Sequence, residues 1–81
     1  MRFEEVANAH YKNLNENDRY ILRRICADKE ACRNLPIQGL ADHCNVSRTT
    51  ILRFAQKLGF EGYSAMKAFL AFEAQEIPQE E

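Results

Sequence analysis

Hydrophobic residues along the chain recur at spacings of three and four, which is the period of an α-helix. The pattern is clearest between residues 37 and 59, where two apolar faces follow each other. The first face comprises Leu40, Ala41 and Cys44, and the second comprises Ile51, Phe54, Ala55 and Leu58. Two short helices that bury such faces against each other across a tight turn form a helix-turn-helix.

The residues between and after these two faces are suited to a turn and to helix ends. Asn45 breaks the first helix, since asparagine tolerates the left-handed conformation better than most residues. Val46 is predicted to insert into the core, and Ser47 to cap the second helix by accepting a backbone N–H of its first turn. Gly59 is predicted to end that helix, with Phe60 folding back onto its last turn.

The same periodicity predicts helices on both sides of this motif. The predicted flanking elements are a helix over 2–11, a second capped by Asn15 and ending near Ala27, a helical turn over 28–34, and a last helix over 65–75 capped by Ser64. Pro36 is predicted at the first position of the motif's first helix, where its missing N–H does no harm. The predicted fold is therefore all-α, with about five helices around a central helix-turn-helix.

Three positions outside the regular stripes are also predicted to lie against the core. Ala31 and Cys32 are expected to face inward from the turn over 28–34, and Phe72 to widen the apolar stripe of the last helix. The first and last helices supply more apolar surface than a minimal three-helix core requires, through Phe3, Val6, Met66, Phe69, Leu70 and Phe72. The extra surface either completes the core or forms a homodimer interface.

Charge is distributed unevenly along this 81-residue chain, although its net charge is only −1. Residues 47–59 contain Arg48, Arg53 and Lys57 and no acidic residue, whereas residues 68–81 contain four glutamates and no basic residue. A local positive surface is thus separated from an acidic tail.

Composition argues against several other kinds of protein. No apolar run is long enough to span a membrane, so no membrane association is expected. The three cysteines are an odd number at spacings that suit neither a disulfide framework nor a zinc site, which favours a reducing cytoplasm and predicts no bound metal. No catalytic triad, phosphate loop or paired carboxylate is recognisable, so neither enzyme activity nor a cofactor is expected.

Seven residues on the outward side of the second motif helix are candidates for contacting nucleic acid. They are Ser47, Arg48, Thr49, Thr50, Arg53, Gln56 and Lys57. In a helix-turn-helix, the N-terminal residues of this helix meet base edges in the major groove. Arginine can pair with guanine, glutamine with adenine, and threonine with phosphate or a thymine methyl group.

Each of these candidates also has a purely structural interpretation. The charged residues can form an ordinary solvated face, and Ser47 can cap the helix without touching DNA. Lys57 and Tyr63 are weaker phosphate-contact candidates that suit surface or packing roles as well. A helical module that binds protein is the alternative function, but a protein-docking face would more often expose large apolar anchors, and only Leu52 qualifies here.

The segments LADHCNVSRTTILRF and KLGFEGYS, which contain the pattern VSxxTxxRFxxKLGFxGYS, carry a resemblance to a known family. Residues 35–70 resemble the N-terminal DNA-binding domain of the RpiR family of bacterial transcription regulators. The resemblance implies a DNA-binding domain over 1–77, with duplex DNA as partner and a role in sugar or sugar-phosphate metabolism. Family members usually carry a sugar isomerase (SIS) domain, which is not expected within these 81 residues. A sugar-phosphate effector is thus expected to act through a domain outside this chain, and 78–81 to be a linker or frayed end.

Overall fold

Six α-helices make up most of the chain in the computed structural model, which describes residues 2–75. They are α1 (Phe3–Ala9), α2 (Glu16–Ala27), α3 (Lys29–Cys32), α4 (Ile37–Cys44), α5 (Arg48–Lys57) and α6 (Tyr63–Gln75), with a 3-10 turn at Tyr11–Asn13. These described residues contain no β-strand, which confirms the all-α prediction. The predicted linker over 78–81 lies outside them. None of the described helices is both long and apolar enough to cross a bilayer.

Helices α4 and α5 form the predicted helix-turn-helix. Asn45 ends α4 in the left-handed conformation, with φ of 61°. The N–H of Val46 then donates to the carbonyl of Ala41 at 2.9 Å, and that of Asn45 to the carbonyl of Asp42 at 3.2 Å. This pair of bonds closes the end of α4 and turns the chain sharply into α5. The turn predicted from Asn45 is therefore confirmed.

The end of α5 repeats this arrangement with a glycine in place of the asparagine. Gly59 has φ of 95°, and the N–H of Phe60 donates to the carbonyl of Ala55 at 3.1 Å. Phe60 folds back as predicted, and its ring centroid lies 5.6 Å from that of Phe69 on α6. The left-handed residue thus directs the chain from α5 into the helix that packs beside it.

Each of the six helices contributes at least one buried residue to the core. Its buried residues are Phe3, Ala7, Leu14, Ile21, Ile25, Cys32, Leu40, Ala41, Cys44, Ile51, Phe54, Ala55, Leu58, Met66 and Leu70. Every apolar residue predicted for the two motif helices belongs to this set. Cys32 and Cys44 are fully buried, and they behave as small hydrophobic residues there. Burial raises the pKa of the Cys32 thiol to about 11, so this thiol stays protonated.

An ion-paired cluster joins three helices that are distant in sequence. The ammonium group of Lys29 lies 2.7 Å from a carboxylate oxygen of Glu4 on α1 and 2.6 Å from one of Glu73 on α6. The other oxygen of Glu73 accepts the backbone N–H of Phe3 at 2.8 Å. We call Glu4, Lys29 and Glu73 the three-helix clamp, because it ties α1 and α6 to the short α3.

Several predicted helix ends differ from the structure. The first helix ends at Ala9 rather than at residue 11, because the N–H of His10 bonds to Ala7, three residues back, and tightens the chain into the 3-10 turn. Pro36 is the cap before α4 rather than its first residue. Helix α6 begins at Tyr63, so Ser64 lies inside it and does not cap it; the carbonyl of Gly62 accepts the N–H of Met66 instead.

Two of the residues predicted to face inward do not. Ala31 is exposed, because α3 is a single turn and brings only Cys32 onto the core side. Phe72 is 57% exposed, because it lies more than half a turn around α6 from the buried Leu70. Among the described residues, the apolar surface predicted around the last helix is thus only partly buried.

Candidate nucleic-acid interface

All seven candidate residues lie on α5 or at its cap, and the first four of them, Ser47 to Thr50, are next to the turn that joins α5 to α4. Ser47, Arg48, Thr49, Arg53 and Gln56 are exposed, whereas Thr50 and Lys57 are partly buried. The opposite side of α5 carries Ile51, Phe54 and Ala55, which are all buried. This division follows from the helical period, because residues three or four positions apart lie on the same side of a helix and the residues between them lie on the other side.

Ser47 caps α5 as predicted. Its hydroxyl oxygen accepts the backbone N–H of Thr50 at 3.1 Å, and it lies 3.0 Å from the hydroxyl of Thr50. Both side chains are thus held at the N-terminus of the helix, where the partial positive charge of the helix dipole attracts anions. Arg48 and Thr49 follow directly in the first turn of α5, and both are exposed.

Arg48 and Arg53 have their guanidinium groups available for a partner. The ion pairs among the described residues involve other basic side chains, namely Arg2, Lys29 and Lys57. A guanidinium group carries five donors in a planar fork, which matches two acceptors on a guanine edge or a phosphate. The exposed side of α5 therefore offers two such forks with Gln56 and Thr49 beside them.

Lys57 differs from the other candidates because it already has a partner. Its ammonium group lies 2.5 Å from a carboxylate oxygen of Asp18, a residue of the first turn of α2 that is almost completely buried. The carboxylate of Asp18 also accepts the N–H of Asn15 at 3.1 Å, and Asn15 accepts the N–H of Asp18 at 2.8 Å. Asn15 thus caps α2 as predicted, and Lys57 binds the same capping structure.

Two further hydrogen bonds hold the helix-turn-helix from its sides. Arg24 on α2 donates to the carbonyl of His43 at 2.9 Å, next to the turn between α4 and α5. Tyr63 donates its hydroxyl to the carbonyl of Leu35, just before α4. Burial raises the pKa of Tyr63 to about 12, so the hydroxyl remains a donor. Tyr63 therefore has a packing role. Its position in the sequence alone did not distinguish this role from a contact with phosphate.

Leu52 also belongs to the exposed side of α5, with 36% of its surface accessible. One face of its side chain is close to the turn that precedes α6: a Cβ atom added to Gly62 would lie 3.8 Å from Leu52 Cδ1. The exposed side of α5 is thus polar and basic, with one aliphatic side chain among its polar residues.

Comparisons with known proteins agree with this geometry. The family model for the helix-turn-helix domain of the rpiR family matches residues 1–77. The HTH-type transcriptional regulator GlvR of Bacillus subtilis (strain 168) is 52% identical over 75 residues, which are 93% of this chain and 30% of GlvR. YfhH of Escherichia coli (strain K12), an uncharacterised HTH-type transcriptional regulator, is 33% identical over 61 residues, or 75% of this chain and 22% of YfhH. No solved structure matches the chain.

These two relatives indicate which kind of protein the chain resembles and how much of each relative it matches. The chain spans less than a third of the length of GlvR and less than a quarter of that of YfhH. Both relatives carry the name of transcriptional regulators, and the family model covers all of the residues that the structure describes. The chain belongs to the rpiR family of helix-turn-helix domains.

Proposed function

We propose that this chain binds duplex DNA in a sequence-specific manner, as the DNA-reading domain of a bacterial transcription regulator. The observation that carries the proposal is the exposed side of α5, which contains no acidic residue. This helix belongs to a helix-turn-helix whose turn is closed by backbone hydrogen bonds. A helix of this kind fits the major groove and places its N-terminal side chains at base edges. Family membership and the naming of GlvR as a transcriptional regulator support the same function.

The candidate residues divide into two roles under this proposal. Arg48, Arg53 and Gln56 read base edges, because their side chains are exposed and carry paired donor or acceptor groups. Ser47, Thr49 and Thr50 contact phosphate near the N-terminus of α5, where hydroxyl groups and the helix dipole favour an anion. Lys57 secures α5 to α2 through Asp18 and adds only a general positive charge to the interface.

The regulator as a whole is proposed to act in the cytoplasm, without catalytic activity in this domain. A homodimer would place two copies of α5 on the half-sites of a symmetric operator. The exposed Phe72 on α6 is available for such contact between copies. By its resemblance to the family, the regulator would respond to a sugar or sugar phosphate through a SIS domain outside this chain.

The direct test is selection of duplexes from a random DNA library with the 81-residue chain, followed by anisotropy titrations of the enriched and a scrambled duplex. We expect enrichment of a defined sequence, and a logarithm of affinity that falls linearly with the logarithm of salt concentration, at ~0.9 per phosphate neutralised. Failure to enrich any sequence would refute the proposal. Binding that is insensitive to both sequence and salt would instead favour the protein-interaction alternative.

A further inference from the structure

Leu52 lies in the middle of a ridge of side chains along α5, between two of the residues proposed to read bases. Arg48 precedes it by four residues and Gln56 follows it by four, so the three side chains lie above one another on one side of the helix. Whatever surface Arg48 and Gln56 contact at the two ends of this ridge, Leu52 meets the part between them. A leucine at that place has no donor or acceptor to offer.

The side chain of Leu52 also lies near the turn that precedes α6. Its Cδ1 atom stands at ordinary contact distance from the position that a Cβ on Gly62 would take, 3.8 Å. The remaining 36% of the residue is exposed on the ridge. The exposed part of the side chain is therefore open to contact with a bound partner.

We infer that Leu52 contacts the 5-methyl group of a thymine in the major groove and that it thereby selects thymine at one position of the operator. This inference rests on the proposed DNA-binding function. Among the groups that base pairs display in the major groove, the methyl group of thymine is the apolar one. Placing Leu52 against the donors and acceptors of the other bases would remove them from water without a hydrogen bond in return.

The test uses the duplex enriched by the 81-residue chain and replaces its thymines one at a time with deoxyuridine, which lacks only the methyl group. We expect one replacement to weaken binding about four-fold, as the loss of one buried methyl-sized group implies. We expect Leu52→Ala to bind the thymine and uracil duplexes equally well. For Leu52→Val, the ratio of these two affinities should lie between that of Leu52→Ala and that of the unmodified protein. A packing role for Leu52 would lower both affinities together and leave their ratio unchanged.

Thr49 provides the matched control, because it is exposed on the same helix and its own methyl group can contact thymine. Thr49→Ser removes that methyl group and keeps the hydroxyl. The inference predicts that this variant retains the preference for thymine over uracil. Loss of the preference in Thr49→Ser with its retention in Leu52→Ala would overturn the inference and assign the contact to Thr49.

Two further outcomes separate this inference from the function on which it rests. If a sequence is enriched and no deoxyuridine replacement changes the affinity of the unmodified protein, the DNA-binding function stands and the thymine contact is refuted. If no sequence is enriched, the proposed function itself fails. If Leu52→Ala binds neither duplex although it remains folded by circular dichroism, Leu52→Val provides the test. The inference is overturned if the ratio of its affinities for the thymine and uracil duplexes equals that of the unmodified protein.

Discussion

Lys57, in the last turn of α5, donates to the carboxylate of Asp18, in the first turn of α2, across 39 positions of sequence. The side chain of Asp18 is only 4% exposed, whereas that of Lys57 is 35% exposed. Because Asp18 also takes part in the cap of α2, this one contact fixes the start of α2 to the end of α5. The ion pair thus secures the helix whose exposed side we propose to read DNA.

Substitution of Lys57 and substitution of Asp18 are expected to destabilise the domain by different amounts. Lys57→Met leaves the buried carboxylate without its cation, so we expect a cost of about 2–3 kcal/mol in free energy of unfolding. Asp18→Asn retains an acceptor for the cap and frees a lysine that water can reach, so about 1–2 kcal/mol is expected. Urea unfolding of both variants measures these costs.

The double variant Asp18→Asn/Lys57→Met serves as the control for this pair. Its cost should be less than the sum of the single costs, because the two side chains interact directly. Additive costs would show that the contact contributes nothing to stability. In DNA titrations of the folded proteins, Lys57→Met should weaken binding less than Arg53→Ala does.

Arg48→Ala and Arg53→Ala are each expected to weaken specific DNA binding by about 1–3 kcal/mol if each guanidinium group pairs with a base. Their melting temperatures should hardly change, since exposed substitutions usually alter stability by about half a kcal/mol or less. Arg23→Ala, which removes an exposed arginine of α2, is the matched control for lost charge. Gel-shift titrations on cognate and scrambled duplexes, with thermal melts, provide the measurement.

Phe54→Ala should show the opposite behaviour, because Phe54 is fully buried under α5. We expect a loss of roughly 3–5 kcal/mol of stability as a cavity opens in the core, with DNA binding lost only through unfolding. If both arginine variants retained full specificity while Phe54→Ala behaved as expected, the exposed side of α5 would not be the reading surface.

Asn45 is expected to be sensitive to substitution for a backbone reason. Its φ of 61° suits glycine and asparagine, whereas a β-branched side chain there is strained. Asn45→Gly should therefore be nearly neutral, and Asn45→Val should destabilise the domain by about 1–2 kcal/mol. Thermal melts of the two variants compare them directly; equal melting temperatures would show that the left-handed turn does not limit stability.

The three-helix clamp is expected to make stability depend on pH. The hydrogen bond from Lys29 lowers the pKa of Glu4 below its ordinary value of 4.5, so the stability that Glu4 contributes is complete above that value and is lost as the pH falls through the folded-state pKa. Burial alone would lower the pKa of Lys29, but its hydrogen bonds with Glu4 and Glu73 outweigh burial and raise it above 10.5. The contribution of Lys29 is therefore complete below 10.5 and is lost as the pH rises through the raised value.

Urea unfolding between about pH 3 and pH 6 measures the acid side of this dependence. Glu4→Gln should flatten the loss of stability on acidification, because the titrating group of the pair is gone. Glu61→Gln, which changes an exposed carboxylate in the loop before α6, should leave the wild-type profile unaltered. An identical profile for Glu4→Gln and the wild type would contradict the role assigned to the clamp.

The sequence by itself determined the helix-turn-helix, because its evidence is local. The apolar period of α4 and α5 decides which side of each helix is buried, and Asn45, Ser47 and Gly59 act on backbone atoms within a few residues of themselves. The buried residues of both helices and the caps at Asn15 and Ser47 were predicted correctly on these grounds. The exposed positions of Arg48 and Arg53 followed from the same period.

Only the tertiary structure decided how the charged side chains are used. Lys57 and Asp18 are far apart in sequence, as are Lys29 and Glu73, and no local spacing indicates that such pairs meet. Ala31 and Phe72 were wrongly predicted to be buried, since an apolar residue is buried only if the side of its helix on which it lies is covered by another helix. Periodicity acts within one helix, whereas ion pairs and burial depend on how the helices are packed together.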